Sequence, residues 1–212
     1  MKKILCILLA LSVLAACFAA CSKKQEPEIA ENLEGLKSGY TGDIKVNKTV
    51  KPGKIKIKLG KYTFSIADKQ FTYKAFEKNE KLTTGLGKQL MDIYVKDGKF
   101  VKCEISDKDE YGNPILTTEY SPDGNPAKIV EKKYDDYGNA VFCAEYGKDG
   151  KLTGFSTMEY DKNGNIVKKY IYNPNLTLNS VEVYTYDKQN KPLKTAYYDA
   201  NGKLTSVKKT KS

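Results

Sequence analysis

A turn that recurs at alternating intervals of 14 and 12 residues constrains this chain more than any other feature. Counting from the residue four before each turn glycine or its counterpart, units begin at Tyr94, Lys108, Tyr120, Tyr134, Tyr146, Tyr160, Tyr172, Tyr186 and Tyr198. The full period is therefore a double unit of 26 residues, the scale of repeat architectures. The units open YVKDGK, KDEYGN, YSPDGN, YDDYGN, YGKDGK, YDKNGN, YNPNLT, YDKQNK and YDANGK. Asp or Asn caps such a turn and Gly takes a left-handed position, which suits a type I turn with a G1 bulge between antiparallel strands. YNPNLT and YDKQNK lack the glycine, so Leu176 and Asn190 are the residues expected to turn left-handed.

A three-residue loop fixes the register. Asp135 then pairs with Asn139, so Tyr134 faces Ala140, Tyr146 faces Leu152, Tyr160 faces Ile166 and Tyr172 faces Leu178. Aromatic and aliphatic side chains opposite one another stabilise a strand pair by roughly 0.2–1 kcal/mol. This reading puts the repeat tyrosines on one face. On the other it puts Cys103, Ile115, Ile129, Val141, Phe155, Val167, Val181, Leu193 and Val207, one apolar residue per strand. The expected fold is all-β, an antiparallel β-meander of tandem hairpin repeats, open or curled, with one face covered by its own curvature or by the first segment of the chain.

Three stretches precede the repeats. Residues 1–20, MKKILCILLALSVLAACFAA, pair two lysines with an apolar run and read as a secretory signal peptide. Residues 21–43 are polar and carry one Pro and three Gly, the composition of a tether. Residues 44–93 form a lysine-rich β segment. In KIKIKLGKYTFSI, residues 54–66, alternation sets Ile55, Ile57 and Leu59 against Lys54, Lys56 and Lys58, and QFTYKAF, residues 70–76, reads as a further strand. Seven lysines and no acid lie between Asp43 and Asp68. The repeat region, residues 94–212, completes the chain.

Leu14-Ala15-Ala16-Cys17 resembles a bacterial lipobox, which implies a diacylglycerol on Cys17; Phe18-Ala19-Ala20-Cys21 makes Cys21 the alternative. The resemblance implies a lipid-anchored protein of the bacterial cell envelope, outside the cytoplasm. YDKNGNIVKKYIY and YDANGKLTSV are similar to the YD repeats of the RHS family and to the MORN-variant repeats of antitoxin components. Those resemblances imply β-hairpin arrays and, for some RHS members, encapsulation or carbohydrate binding.

Composition narrows the chemistry. The formal charge is +10, every basic residue is lysine, and histidine, arginine and tryptophan are absent. A Ser-His-Asp triad, a Cys-His dyad and a histidine-ligated metal are thus excluded. The bidentate fork that reads phosphates and bases is missing too, so no nucleic-acid partner is expected. DKDEYGN gathers three carboxylates, but its siblings lack the further acids of a calcium loop, so it reads as turn chemistry; no metal and no cofactor are expected. Cys103 and Cys143, read as lying on one face three strands apart, would be ~14 Å apart, too far for a disulfide.

Two candidate binding surfaces remain: Lys54, Lys56 and Lys58 for a polyanion, and the repeat tyrosines Tyr120, Tyr146 and Tyr172 for a sugar or a protein. The function expected is therefore non-catalytic, recognition of an anionic polymer, a glycan or a protein at the envelope. An immunity-like lipoprotein that grips one protein is the alternative. A carbohydrate-active hydrolase would need a carboxylate pair, and none stands out among twenty-six acids.

Overall fold

The computed structural model describes residues 28–36, 44–73 and 80–210. The lipobox cysteines lie outside them, as do residues 74–76 of the expected second strand. The chain divides into a unit of residues 1–30 and a unit of residues 31–212 that holds every described strand.

Three short strands, β1 (Ile57–Leu59), β2 (Thr63–Ile66) and β3 (Lys69–Thr72), form a small antiparallel sheet in that order. The long sheet begins with β4 (Lys81–Leu86), β5 (Gln89–Lys96), β6 (Lys99–Lys108), β7 (Pro114–Tyr120) and β8 (Pro126–Tyr134). It continues through β9 (Ala140–Gly147), β10 (Leu152–Tyr160), β11 (Ile166–Tyr172), β12 (Leu178–Tyr186), β13 (Pro192–Asp199) and β14 (Leu204–Lys209). These eleven strands pair strictly with their sequence neighbours. Among the described residues β4 and β14 are the two edges, so the meander is open and not closed into a barrel.

The register follows the turn rule. Tyr134 pairs with Ala140, Tyr146 with Leu152, Tyr160 with Ile166 and Tyr172 with Leu178. Leu176 (φ 69°) and Asn190 (φ 60°) take the left-handed position otherwise held by glycine. YVKDGK departs: Lys96 pairs with Lys99, and Asp97 and Gly98 both have positive φ, the two-residue primed hairpin.

The assignment of faces needs correction, and bulges are the reason. Tyr134 pairs with Ala140 but Lys133 pairs with Phe142, so Val141 is an extra, unpaired residue. An extra residue reverses the parity of everything beyond it. The single apolar stripe therefore separates into two series. Cys103, Ile129, Phe155, Val181 and Val207 share one face, whereas Ile115, Val141, Val167 and Leu193 are bulge residues. The tyrosines separate likewise. Tyr120, Tyr146, Tyr172 and Tyr198 lie on the face of Cys103 and Ile129; Tyr134, Tyr160 and Tyr186 lie on the other. Cys103 and Cys143 are also on opposite faces, and both are free thiols.

One face is covered by the segment that precedes the sheet. Phe64 and Ile66 of the small sheet pack with Met91, Ile93, Phe100, Cys103 and Tyr120, and Ile55 and Ile57 join them. Ile44, Val46 and Val50 pack over Ile129, Phe142, Tyr146 and Phe155. The alternation of 54–58 holds for Ile55 and Ile57, but regular pairing covers only β1 and Leu59 is 52 % exposed. Part of the expected tether is docked rather than free: Leu33 N–H donates to the Gly202 carbonyl at 2.8 Å, and Leu204 N–H to the Glu31 carbonyl at 2.9 Å.

The covering segment, hereafter the strap, makes its backbone hydrogen bonds to turns at one end of the sheet. Val50 N–H donates to the Gly150 carbonyl at 2.8 Å and Leu152 N–H to the Lys48 carbonyl at 3.0 Å, while Ile55 N–H reaches the Gly124 carbonyl at 3.1 Å. With Gly202 these turns sit at the same end of the meander. A methyl group on Gly124 or Gly150 would overlap the carbonyl of Ile55 or Val50. The turns at the opposite end carry Gly112, Gly138 and Gly164, and a methyl there would meet nothing nearer than 3.6 Å.

Candidate functional site

Two surfaces stand out, one on the strap and one at the free end of the sheet. On the strap, Lys45, Lys48, Lys51, Lys54, Lys56, Lys58 and Lys61 are all exposed. Among the described residues none of them has a carboxylate within ion-pair distance; Lys61 instead lies 5.0 Å over the Tyr62 ring. Some lysines of the long sheet are paired. Lys81 pairs with Asp92 at 2.8 Å, Lys128 with Glu145 at 2.8 Å, and Lys102 bridges Glu104 at 2.9 Å and Glu119 at 2.5 Å. Partial burial opposes the charge on Lys102, but its two carboxylates outweigh that and raise its pKa.

The repeat tyrosines singled out in the sequence are not a contact surface. Tyr146 is 1 % exposed and Tyr120 7 %, and Tyr172 stacks on Phe155 with centroids 4.6 Å apart and planes 6° apart. The Tyr146 hydroxyl donates to Glu131 Oε2 at 2.7 Å; burial and that carboxylate raise its pKa. On the uncovered face Tyr134, Tyr160 and Tyr186 donate to the carbonyls of Pro114 at 3.0 Å, Ala140 at 2.8 Å and Ile166 at 2.9 Å. Each ties one hairpin to the preceding one, so these hydroxyls are structural fasteners.

The tyrosines that do face solvent lie inside two turns. Tyr111 of DEYGN and Tyr137 of DDYGN are 83 % and 91 % exposed. The two turns are built alike: Asp109 accepts the N–H of Tyr111 at 3.0 Å and of Asn113 at 2.8 Å, and Asp135 accepts those of Tyr137 at 3.0 Å and Asn139 at 2.8 Å. Each Asp also accepts the Asn side-chain amide at 3.0 Å. The Asp135 carboxyl is held below its ordinary value by the Asn139 amide and the turn N–H groups. For Asp109 partial burial works the other way, but Asn113 and the turn N–H groups win and lower it too.

Between these two turns lies a cavity of about 740 Å³. It opens because β7 and β8 stop pairing at Leu116 and Glu131, short of the turns, and the hairpins splay. Glu131 and Lys133 lie in its lining, and Asn47 reaches in from the strap to Glu131 Oε2 at 3.3 Å. The Lys133 amine donates to the Lys45 carbonyl at 2.8 Å. Such a volume is in the range of small-molecule sites. Nothing in the spacing of the repeats distinguished this site; the signal available was a Tyr in two turns where sibling turns carry Asn163 or Gln189.

Among the described residues no group of three His, Cys, Asp or Glu side chains is arranged to hold a metal ion. No described helix is long and apolar enough to cross a membrane.

No family model matches the chain, and no curated protein does. Among solved structures a mutant of S. aureus TarM, in complex with Fondaparinux, alpha-GlcNAc-glycerol and UDP, is similar at a TM-score of 0.26 and 10 % identity. The alignment covers 47 % of this chain and 21 % of TarM. A likeness that slight carries no argument about function.

Proposed function

We propose that this protein is a non-catalytic binding module of the bacterial cell envelope, lipid-anchored through Cys17 or Cys21, that holds an anionic polymer or headgroup surface through its strap. The observation that carries the reading is the density of uncompensated charge on the strap: seven exposed lysines and no acid between Asp43 and Asp68, none with an ion-pair partner among the described residues. Unpaired ammonium groups attract phosphate, sulfate or carboxylate without directional contacts. The anchor supplies proximity, and the sheet supplies a rigid support for the strap. The repeat resemblance to YD and MORN-variant arrays is compatible with a scaffold that presents surface rather than chemistry.

The test is binding to phosphatidylglycerol vesicles and to a teichoic-type polymer at low and high salt, beside the triple variant Lys54→Gln, Lys56→Gln, Lys58→Gln. Near an anionic surface each lysine contributes about 1 kcal/mol, so the variant should bind roughly a hundredfold more weakly. Raising salt from about 50 to 500 mM should weaken the wild type steeply, because exposed charges are screened. Salt-insensitive binding, or a triple variant that binds like wild type, would remove the strap from the account.

A further inference from the structure

The cavity between the two turn-tip tyrosines is a second site, of different chemistry from the strap. Its lining contains Asp109, Glu131, Asp135 and Asp136 against Lys132 and Lys133, so it is locally acidic on a chain whose formal charge is +10. A polyanion is disfavoured there by like charge. A ligand for this cavity is therefore not a polyanion, and it meets two aromatic rings with open flanks.

The rings are related by the repeat itself. Tyr111 and Tyr137 occupy the same position of two identically bonded turns, one hairpin apart, which is at least two strand spacings, ~10 Å. Because the turns share their hydrogen bonds, the two tyrosines leave equivalent backbone positions, and both residues line the same cavity. Between them the polar groups are of the kind that meet hydroxyls. Glu131 accepts Tyr146 and Asn47 mainly through Oε2, and its Oε1 has only a 3.5 Å contact with Asn47. Two exposed aromatic rings at equivalent turn positions, over a floor with an incompletely satisfied carboxylate, match a chain of sugars. The sugar would stack alternate rings on the two tyrosines and donate a hydroxyl to Glu131. A peptide lacks that fixed repeat.

Hydrogen bonding between tips differs along this end of the sheet. Between β11 and β12 the tips are fastened together: Asn163 and Asn165 donate to Asn190 Oδ1 at 3.0 and 3.2 Å. Among the described residues no hydrogen bond joins the 109–113 tip to the 135–139 tip. The two tips are thus unjoined where the exposed tyrosines stand, while the Tyr134 hydroxyl fastens the hairpins just behind them at the Pro114 carbonyl.

We infer that the Tyr111–Tyr137 cavity binds a neutral glycan chain, end-on to the sheet and independently of the strap lysines. The experiment is calorimetric titration of the purified protein with cellohexaose and with chitohexaose. The proteins compared are the wild type, Tyr111→Ala, Tyr137→Ala, the double variant, Tyr137→Phe and the strap triple variant. Both tyrosines are exposed and outside the hairpin hydrogen bonds, so the alanine variants should fold, which circular dichroism checks. At least one hexasaccharide should bind with little dependence on salt, and its disaccharide should bind far more weakly. Each single alanine should weaken binding about threefold to tenfold, the size of one exposed aromatic contact, and the double variant should abolish it. Tyr137→Phe and the strap variant should bind as wild type.

Absence of saturable binding to both hexasaccharides overturns the inference, as does binding that survives the double alanine change. Loss of binding in the strap variant would place the glycan on the lysines instead. A protein captured through the two tyrosines, with neither sugar bound, would reassign the site to a protein partner and likewise overturn the glycan assignment. Since the strap reading is tested on anionic surfaces and this one on neutral sugars, either can fail alone.

Discussion

The two ends of the long sheet are made of nearly the same turns and do different work. At one end the turns around Gly124 and Gly150 receive the strap, and the turn around Gly202 receives the docked residues 31–33; the carbonyls of Ile55, Val50 and Leu33 approach so closely that no side chain fits. At the other, Gly112, Gly138 and Gly164 are demanded only by their positive φ. A repeat therefore carries two reasons for one glycine, and only the neighbours tell them apart. At the end of Gly112 and Gly138 the strap reaches the sheet through side-chain bonds, Asn47 to Glu131 and Lys133 to the Lys45 carbonyl, and the cavity between Tyr111 and Tyr137 lies beside them.

The largest expected effect breaks this comparison directly. Gly150→Ala (φ 74°) forces an alanine into the left-handed region, which costs roughly 1–2 kcal/mol. It also pushes the Val50 carbonyl away and endangers the strap bonds of Val50 and Leu152, each contributing ~1 kcal/mol. Together these amount to about 3 kcal/mol or more, whereas Gly138→Ala (φ 81°) should lose only the ~1–2 kcal/mol of conformational strain. Urea midpoints of the two variants measure the difference. Equal midpoints would mean that the strap does not sit on the 147–151 turn.

A smaller contrast concerns the hydroxyls of the two tyrosine series. Tyr146→Phe removes the donor to Glu131 inside the strap-covered core and leaves that carboxylate with Asn47 alone, so a loss of ~2 kcal/mol is expected for a bond to a charged acceptor. Tyr160→Phe removes a neutral bond to the Ala140 carbonyl on the half-exposed face and should cost no more than ~1 kcal/mol. If Tyr160→Phe proved the costlier, the hairpins would be fastened chiefly at the open end, and the strap would be the lesser contributor.

Much of this fold is legible in the sequence, and the failures have a common physical origin. The pairing of Tyr134 with Ala140 or Tyr172 with Leu178 follows from turn chemistry alone, because that chemistry is local. The faces do not follow, because one unpaired residue such as Val141 reverses them and leaves no mark in composition. For the same reason Tyr120 and Tyr146, which look like a surface row, are core residues. Strap docking at Gly150 is illegible since its glycine is already explained by the turn. The open cavity depends on where β7 and β8 cease to pair, a long-range outcome that Tyr111 and Tyr137 announce only by replacing the polar residues of sibling turns. Lys54, Lys56 and Lys58 were legible as an exposed row because period-2 alternation is a local property.

The smallest effect tests whether turn carboxylates serve both ends alike. At the open end Asp135 and Asp161 are lowered chiefly by the side-chain amides of Asn139 and Asn165. At the strapped end Asp149 is lowered chiefly by the Lys151 N–H, and Asp123, through the Ser121 hydroxyl and Asn125, falls to about 2. A carboxyl whose folded pKa lies below its unfolded value, ~3.9 for Asp, stabilises the fold above that value and loses the contribution as pH falls through the folded pKa. Stability should accordingly decline between about pH 4 and 2, with turns at both ends titrating. Asp123→Asn keeps an acceptor oxygen but not the charge, so its stability should fall less steeply over that interval than the wild type's. Asp161→Asn should flatten the profile less, because the shift it removes is the smaller. Chemical denaturation at a series of pH values separates the three proteins. An unaltered acid profile in Asp123→Asn would show that the turn's hydrogen bonds hold without the charge. Acid loosening would then have to originate in the other lowered turn carboxyls, Asp109, Asp135, Asp149 and Asp161.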